Sequence, residues 1–302
     1  MVFRSWGAGW ARALLAVVFS FAVLPTAAVA DTIAATVTTT ATATAKNRKS
    51  APHFIFGFLP VLSTGKLIKR FEPLADYLSE KMGVDVRFET APDFAAFQSR
   101  TVTGRRYDFL YTAPHLYYLA QRDAVYRVVA RVDAKGLYAV IVVREKSPIN
   151  SLKDLCGKKL TVPDRLALMT VLVRRTVAAI GCKKGNEVVI LPTPTHDAAL
   201  LNAYNGTSDA AGLESGIFKR TGARIVNSMR VIGRTASTPQ MPISVAPWVD
   251  RKTTGKFTKI LLSLNKTKEG RAVLKKAGWP GFKAAAPREY DVMEPYAKFI
   301  KY

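Results

Sequence analysis

The chain has 302 residues and 49% hydrophobic content, enough for one large or two small folded domains with a full core. Its formal charge of +23 favours anionic partners. The basic residues are spread over the whole length without an aromatic-interleaved cluster, which argues against nucleic acid, and the three histidines (His53, His115, His196) are too scattered for a zinc motif.

The first thirty residues read as an export signal. Arg4 and Arg12 accompany an apolar run at 14–24, and Ala28-Val29-Ala30 has the small-x-small form a signal peptidase accepts. The run is shorter than the roughly 20 residues that span a bilayer. Residues 1–30 are therefore expected to be removed and the mature protein to work outside the cytoplasm; an uncleaved signal would leave it tethered to the membrane. Residues 31–52 are rich in Thr and Ala, have little apolar surface to bury, and read as a disordered tether.

From His53 onward β-like and helix-like segments alternate. Residues 54–58 form an apolar strand, 67–82 carry the helical spacing of Leu67, Phe71, Leu74 and Leu78, and 84–88 alternate as a strand. A helix at 94–102, a strand at 107–110 and a helix opened by Pro114 follow. Residues 125–131 and 137–143 are β-rich. Strands at 160–162, 188–190 and 209–211 are separated by helices at 168–180 and 196–204, and the part from Asp250 on is mainly helical. This order predicts open parallel sheets flanked by helices, arranged as two similar α/β lobes. Ligands of such sheets bind beyond the carboxyl ends of the strands, where helix N-termini offer free N–H groups.

Only two cysteines occur, Cys156 and Cys182. In an exported chain a lone pair suggests one disulfide rather than two buried thiols. Cys156 precedes a strand and Cys182 follows the helix that returns antiparallel to it, so the two ends can meet. GxSxG, Walker A and HExxH motifs are absent, as are recognisably spaced carboxylate pairs. No enzyme activity, metal or cofactor is expected.

Several short motifs, in one order over about 53–295, resemble the phosphonate/phosphite-type periplasmic binding proteins. They are Gly57-Phe58-Leu59-Pro60, Phe71-Glu72-Pro73-Leu74-Ala75-Asp76-Tyr77-Leu78, Ala91-Pro92-Asp93-Phe94, Tyr107-Asp108-Phe109, Ile149-Asn150-Ser151-Leu152-Lys153-Asp154-Leu155, Thr195-His196-Asp197-Ala198-Ala199-Leu200 and Asp209-Ala210-Ala211. The resemblance implies a type II periplasmic binding protein fold with two hinge strands, expected near 139–144 and 231–245. Lobe one would combine 53–140 with 240–302, and 141–239 would form lobe two with the hinge strands. It also implies a periplasmic location, a small anionic ligand held between the lobes, a partner ABC permease in the inner membrane, and a monomer. The alternative is a solute-sensing or accessory protein that docks on a membrane sensor or an exported enzyme.

Carried over residue by residue, the family pattern gives Phe94 where phosphonate binders have a tyrosine. At the hydroxyl-rich helix start it gives Ala167-Leu168-Met169-Thr170, where only Thr170 keeps a hydroxyl. His196 is retained. Met241 falls near the acid that meets the amine of aminophosphonates. Tyr111 and Thr112 follow a predicted strand, and Ser63 and Thr64 precede a helix, where they serve as caps or face the cleft. The expected ligand contacts are thus Ser63, Thr64, Phe94, Tyr111, Thr112, Met169, Thr170, His196 and Asp209. The departures at 94, 167–169 and 241 point to a ligand without an amine and with an apolar part.

Overall fold

The computed structural model describes residues 52–298, 300 and 301. The export signal and all but the last residue of the expected tether lie outside the described residues. The chain runs β1 (His53–Phe58), α1 (Thr64–Met82), β2 (Asp85–Glu89), α2 (Phe94–Val102), β3 (Phe109–Tyr111), α3 (Pro114–Ala124) and β4 (Arg127–Val132). It continues through β5 (Ala139–Arg144), β6 (Lys159–Val162), α4 (Leu168–Ala178), β7 (Val189–Pro192), α5 (His196–Tyr204), β8 (Ala210–Glu214), α6 (Ser215–Lys219), α7 (Ala223–Val226) and β9 (Met229–Arg234). It ends with β10 (Pro242–Val245), α8 (Arg251–Ser263), α9 (Lys268–Ala277), β11 (Phe282–Ala284) and α10 (Glu294–Ala297).

Two sheets result, in the strand orders β2-β1-β3-β10-β4-β11 and β7-β6-β8-β5-β9. Each is built on the same scheme. Three parallel strands linked by helices stand in the order second, first, third, and beside them lies an antiparallel strand that arrives from the other lobe. The sheets are therefore mixed rather than parallel throughout. β10 runs antiparallel to β3 and β4, and β5 runs antiparallel to β8 and β9. The hydrophobic pattern could not show this, because a strand buried on both faces reads as a continuous apolar run in either direction.

The first crossing sits elsewhere than expected, whereas the second, 235–241, falls within the expected 231–245. Ala139–Arg144 is not a hinge but the central strand β5, with five of its six residues buried. The links between the sheets are 133–138 and 235–241. They bond to one another through Leu137 N–H to the Thr238 carbonyl and Thr238 N–H to the Leu137 carbonyl, both 2.8 Å. Gly136 is required there, because a Cβ would lie 2.6 Å from the Thr238 carbonyl oxygen. The α6–α7 segment and β11 carried no signal strong enough to be foreseen, being only three to five residues each.

Local chemistry explains the helix ends that matter for the cleft. Asp93 caps α2 by accepting from Ala96 N–H at 2.7 Å, and Thr195 caps α5 by accepting from Ala198 N–H at 3.3 Å. α4 starts at Ala167 with no side-chain cap. In the first lobe an aromatic column fixes the sheet. Phe109 stacks on Phe257 at 3.8 Å, Phe58 on Phe71 at 5.3 Å, and Phe71 on Trp279 at 5.0 Å. The column thus runs from the deep core toward the strand ends.

Cys156 and Cys182 are joined, with Cα atoms 5.6 Å apart and a sequence separation of 26. The bond ties the turn before β6 to the end of α4, as the strand–helix return predicts. Closing a loop of this length restricts the unfolded chain by about 3 kcal/mol in the chain-entropy model. Reduction of the mature protein should lower its unfolding free energy by about that much. Urea midpoints measured with and without reductant test this, and coincident curves would contradict it.

Candidate ligand-binding cleft

A cavity of about 190 Å³ opens where the carboxyl ends of the strands of both sheets meet. The first lobe supplies Leu59 and Val61 after β1, Arg70 and Phe71 from α1, Phe94 at the start of α2, Tyr111, Ala113 and Pro114 between β3 and α3, and Gly278 and Trp279 after α9. The crossings supply Leu137, Gln240 and Met241. The second lobe supplies Ala167, Leu168 and Met169 at the start of α4, His196 at the start of α5, and Glu214, Ile217 and Arg220 at the end of β8 and along α6.

The lobes are closed on each other. His196 N–H donates to the Val61 carbonyl at 3.3 Å, and Lys66 pairs with Asp197 at 2.7 Å. His115 Nε2 donates to the Leu166 carbonyl at 2.8 Å. At the back, Arg175 donates to the Pro295 carbonyl at 3.1 Å and lies 4.2 Å over the Tyr296 ring. Asp164 accepts from Phe94 N–H across the same gap, and burial raises its carboxyl above the usual range.

Inside the cavity the polar groups are few and defined. His196 Nδ1 accepts from Glu214 N–H at 3.3 Å, which puts the ring proton on Nε2 and makes that atom a donor. Burial pushes this imidazole down to about 4, so it is neutral at ordinary pH. Burial likewise raises the Tyr111 hydroxyl, which bonds to Trp279 and stays protonated.

Two guanidiniums complete the site. Arg70 Nε donates to the Ala277 carbonyl at 2.8 Å, and its pKa is held below the usual value by burial first and by the charge of Arg220 second. Arg220 reaches Glu214 Oε2 at 3.7 Å. The two side chains meet over Gly278, a residue at φ 69°, where a Cβ would stand 2.6 Å from Arg70 Nη2 and 2.8 Å from Arg220 Cδ. One cation comes from each lobe. The carboxylate beside them, Glu214, already caps α6 by accepting from Gly216 N–H at 2.6 Å and Ile217 N–H at 2.7 Å.

Of the residues expected from sequence, Phe94, Tyr111, Met169 and His196 line this cavity, together with Ala167, Leu168 and Met241. The other five do not. Ser63 donates to Asp197 at 3.3 Å, and Thr64 is exposed at the start of α1. Thr112 is buried between two lining residues with no hydrogen-bond partner for its hydroxyl among the described residues. The Thr170 hydroxyl is spent on the Pro163 carbonyl at 3.0 Å, because a hydroxyl on a buried helix face takes the nearest carbonyl. Asp209 accepts from Lys159 N–H at 2.8 Å at the amino end of β8, the end remote from the cleft.

Arg70, Glu214, Arg220 and Gln240 were not singled out from the sequence, and Trp279 was not expected as a ligand contact. Glu214 carried a usable signal, since it ends the apolar run Ala210-Ala211-Gly212-Leu213 at the carboxyl end of a strand. Arg70 carried none, because an arginine beside a helix's apolar stripe reads as a solvated face.

His115 and His196 are both pushed down to about 4 by burial, whereas an exposed imidazole titrates near 6.5. The unfolded chain therefore binds protons that the folded one excludes, and stability is complete above about pH 6.5 and declines toward pH 4. The slope is about 1.4 kcal/mol per pH unit for each group. Melting temperatures measured from pH 7 to 4.5 should fall, and fall less in His115→Gln, which keeps a donor for Leu166. Identical profiles for the two proteins would contradict this assignment.

Residues 56–290 match a family profile described as ABC transporter, phosphonate, periplasmic substrate-binding protein. A relative from Escherichia coli K12, the phosphonates-binding periplasmic protein, is 25% identical over 269 residues, covering 81% of this chain and 75% of the relative. Two solved structures share the fold at 18% identity. One is PhnD1 from Prochlorococcus marinus in complex with methylphosphonate, with TM-score 0.74, covering 82% of this chain and 97% of that one. The other is a binding protein component of an ABC phosphonate transporter from Pseudomonas aeruginosa, with TM-score 0.72, covering 82% and 86%. With the paired 2-1-3 sheets and the double crossing, these matches identify the type II periplasmic binding protein fold, and the chain belongs to the phosphonate periplasmic substrate-binding protein family of ABC transporters.

Proposed function

We propose that the protein, exported to the periplasm, captures a small phosphonate-class oxyanion between its lobes and presents it to the permease of an ABC importer. The observation that carries this reading is the meeting of Arg70 and Arg220 from opposite lobes in a cavity whose carboxylate is already engaged. An oxyanion there accepts from both guanidiniums, from His196 Nε2 and from the Tyr111 hydroxyl. The uncapped start of the 11-residue helix α4 adds free backbone N–H groups on the opposite wall. Phe94, Leu168, Met169 and Met241 leave an apolar wall for the ligand's carbon part. The crossings at 133–138 and 235–241 act as the hinge, and the anion bridges what the hinge brings together.

Hydrogen bonds to charged groups contribute about 1.5–3 kcal/mol, which is a factor of ten or more in affinity. Isothermal titration with methylphosphonate should therefore show at least a tenfold loss in Arg70→Gln and in Arg220→Gln. Unchanged affinity in both would reject the site.

The same geometry predicts discrimination against an amine. Met241 carries no charge, and both Glu214 oxygens are taken by the start of α6. Glu214 is the one carboxylate lining the cavity, and a buried ammonium would have to compete for it with Arg220 and the two α6 N–H groups, while lying beside two guanidiniums of like charge. Methylphosphonate should bind at least tenfold more tightly than 2-aminoethylphosphonate under the same conditions. Tighter binding of the aminophosphonate, lost in His196→Ala, would reject the specificity while keeping the site.

A further inference from the structure

A second, larger cavity of about 710 Å³ adjoins the ligand cavity on the outer side of Arg70, Ile217, Arg220 and Gly278, which line both. Its walls carry Lys66, Lys69, Arg70, Lys275 and Lys276 from the first lobe and Arg220 from the second. Facing them is one carboxylate, Asp197, and it is paired with Lys66. Lys69, Lys275 and Lys276 are exposed and have no carboxylate partner among the described residues.

Helix electrostatics account for only part of this cluster. Lys275 and Lys276 lie in the last turn of α9, where cations are at home. Lys66 lies in the first turn of α1, where a cation opposes the helix's positive end, and it is offset by its pairing with Asp197; Lys69 lies one turn further on, beyond the reach of that end. Six cations against two acids, Asp197 on the wall and Glu214 at 3.7 Å from Arg220, also raise the self-repulsion of the closed form. A surplus of cations gathered from both lobes is relieved by an anion that sits on it.

We propose that this groove is a second anion site, for a multiply charged phosphoryl chain of at least two phosphate units. Several cations spread along two lobes suit an extended polyanion better than a single phosphate, which one or two of them would satisfy. Because Arg220 stands on one side and the lysines on the other, the chain bridges the lobes and favours the closed form. The phosphoryl chain is either a free polyphosphate or the tail of a larger organophosphorus ligand whose head occupies the inner cavity.

The experiment uses the full exported protein and inorganic tripolyphosphate as the probe, by isothermal titration at 50 and 200 mM salt. A groove variant, Lys69→Ala with Lys275→Ala and Lys276→Ala, is compared with a control of equal charge, Lys158→Ala with Lys183→Ala and Lys184→Ala, which lies outside the groove. Wild type should bind measurably at 50 mM salt and more weakly at 200 mM. The groove variant should lose at least tenfold and the control less than twofold, while methylphosphonate affinity stays within twofold in all three. Tripolyphosphate that binds equally well with methylphosphonate already present identifies a free second anion. Mutual exclusion identifies one extended ligand. Equal losses in groove and control variants would reduce the effect to bulk charge and overturn the proposal, as would no binding to wild type at 50 mM salt. Methylphosphonate binding is read separately, so the ligand cavity and the groove stand or fall independently.

Discussion

Two guanidiniums of like charge, one on each lobe, are brought over the backbone of Gly278 when the lobes close. Much of the surrounding structure can be read as what this contact requires. Gly278 lacks the Cβ that would hold the side chains apart. Ala277 offers its carbonyl to Arg70, and Glu214 stands within 3.7 Å of Arg220. Yet Glu214 is held by two backbone N–H groups of α6, so its charge is shared between the helix start and the arginine. The site as a whole keeps an unmet positive potential, which is the property an anion-capturing cleft needs.

Positioning of these groups depends on rigid parts some distance away. The aromatic column from Phe109 and Phe257 through Phe58 and Phe71 to Trp279 sets the height of α1 and of the Gly278 turn relative to the first sheet. Arg70 precedes Phe71 in the same helix turn, so packing the phenyl ring places the guanidinium. On the other side, His196 is oriented by the N–H of Glu214, which couples the start of α5 to the end of β8. A displacement of either lobe's helix starts would therefore move donors and cations together.

The fold was largely legible because its signals are local. Alternating short apolar runs and striped helices gave nearly every long element, and the strand–helix return placed the two cysteines together. Strand direction and the first hinge segment were not legible, because β5 and the crossing before it are both β-rich and only their pairing partners distinguish them. In the site, residues at helix starts were found readily: Phe94 and His196 open α2 and α5, and Met169 is the second residue of α4. The run from Asp209 to Glu214 is instructive, since an acid stands at each end and strand direction alone says which faces the cleft. The carboxyl-end rule selects Glu214, and the sequence motif drew attention to Asp209. Arg70 and Arg220 stayed hidden for another reason: their role exists only between lobes, and no pattern within one helix reports what a second lobe brings opposite it.

That last point bears on how capture and closure are coupled. A ligand can shift a conformational equilibrium only by as much as it binds one state better than the other. In the binding mode proposed above, an oxyanion in an open arrangement would meet the donors of one lobe, either Arg70 with Tyr111 or Arg220 with His196. In the closed arrangement it would meet both sets and would also remove the repulsion between the two cations. Distributing the anion's partners across the hinge thus makes the differential affinity large. A site with the same groups on one lobe would bind as many hydrogen bonds and report nothing through its shape. In the same proposal the neutral His196 and the uncapped α4 would supply donors without adding to the repulsion, which leaves the arginine pair as the element that would tie occupancy to closure.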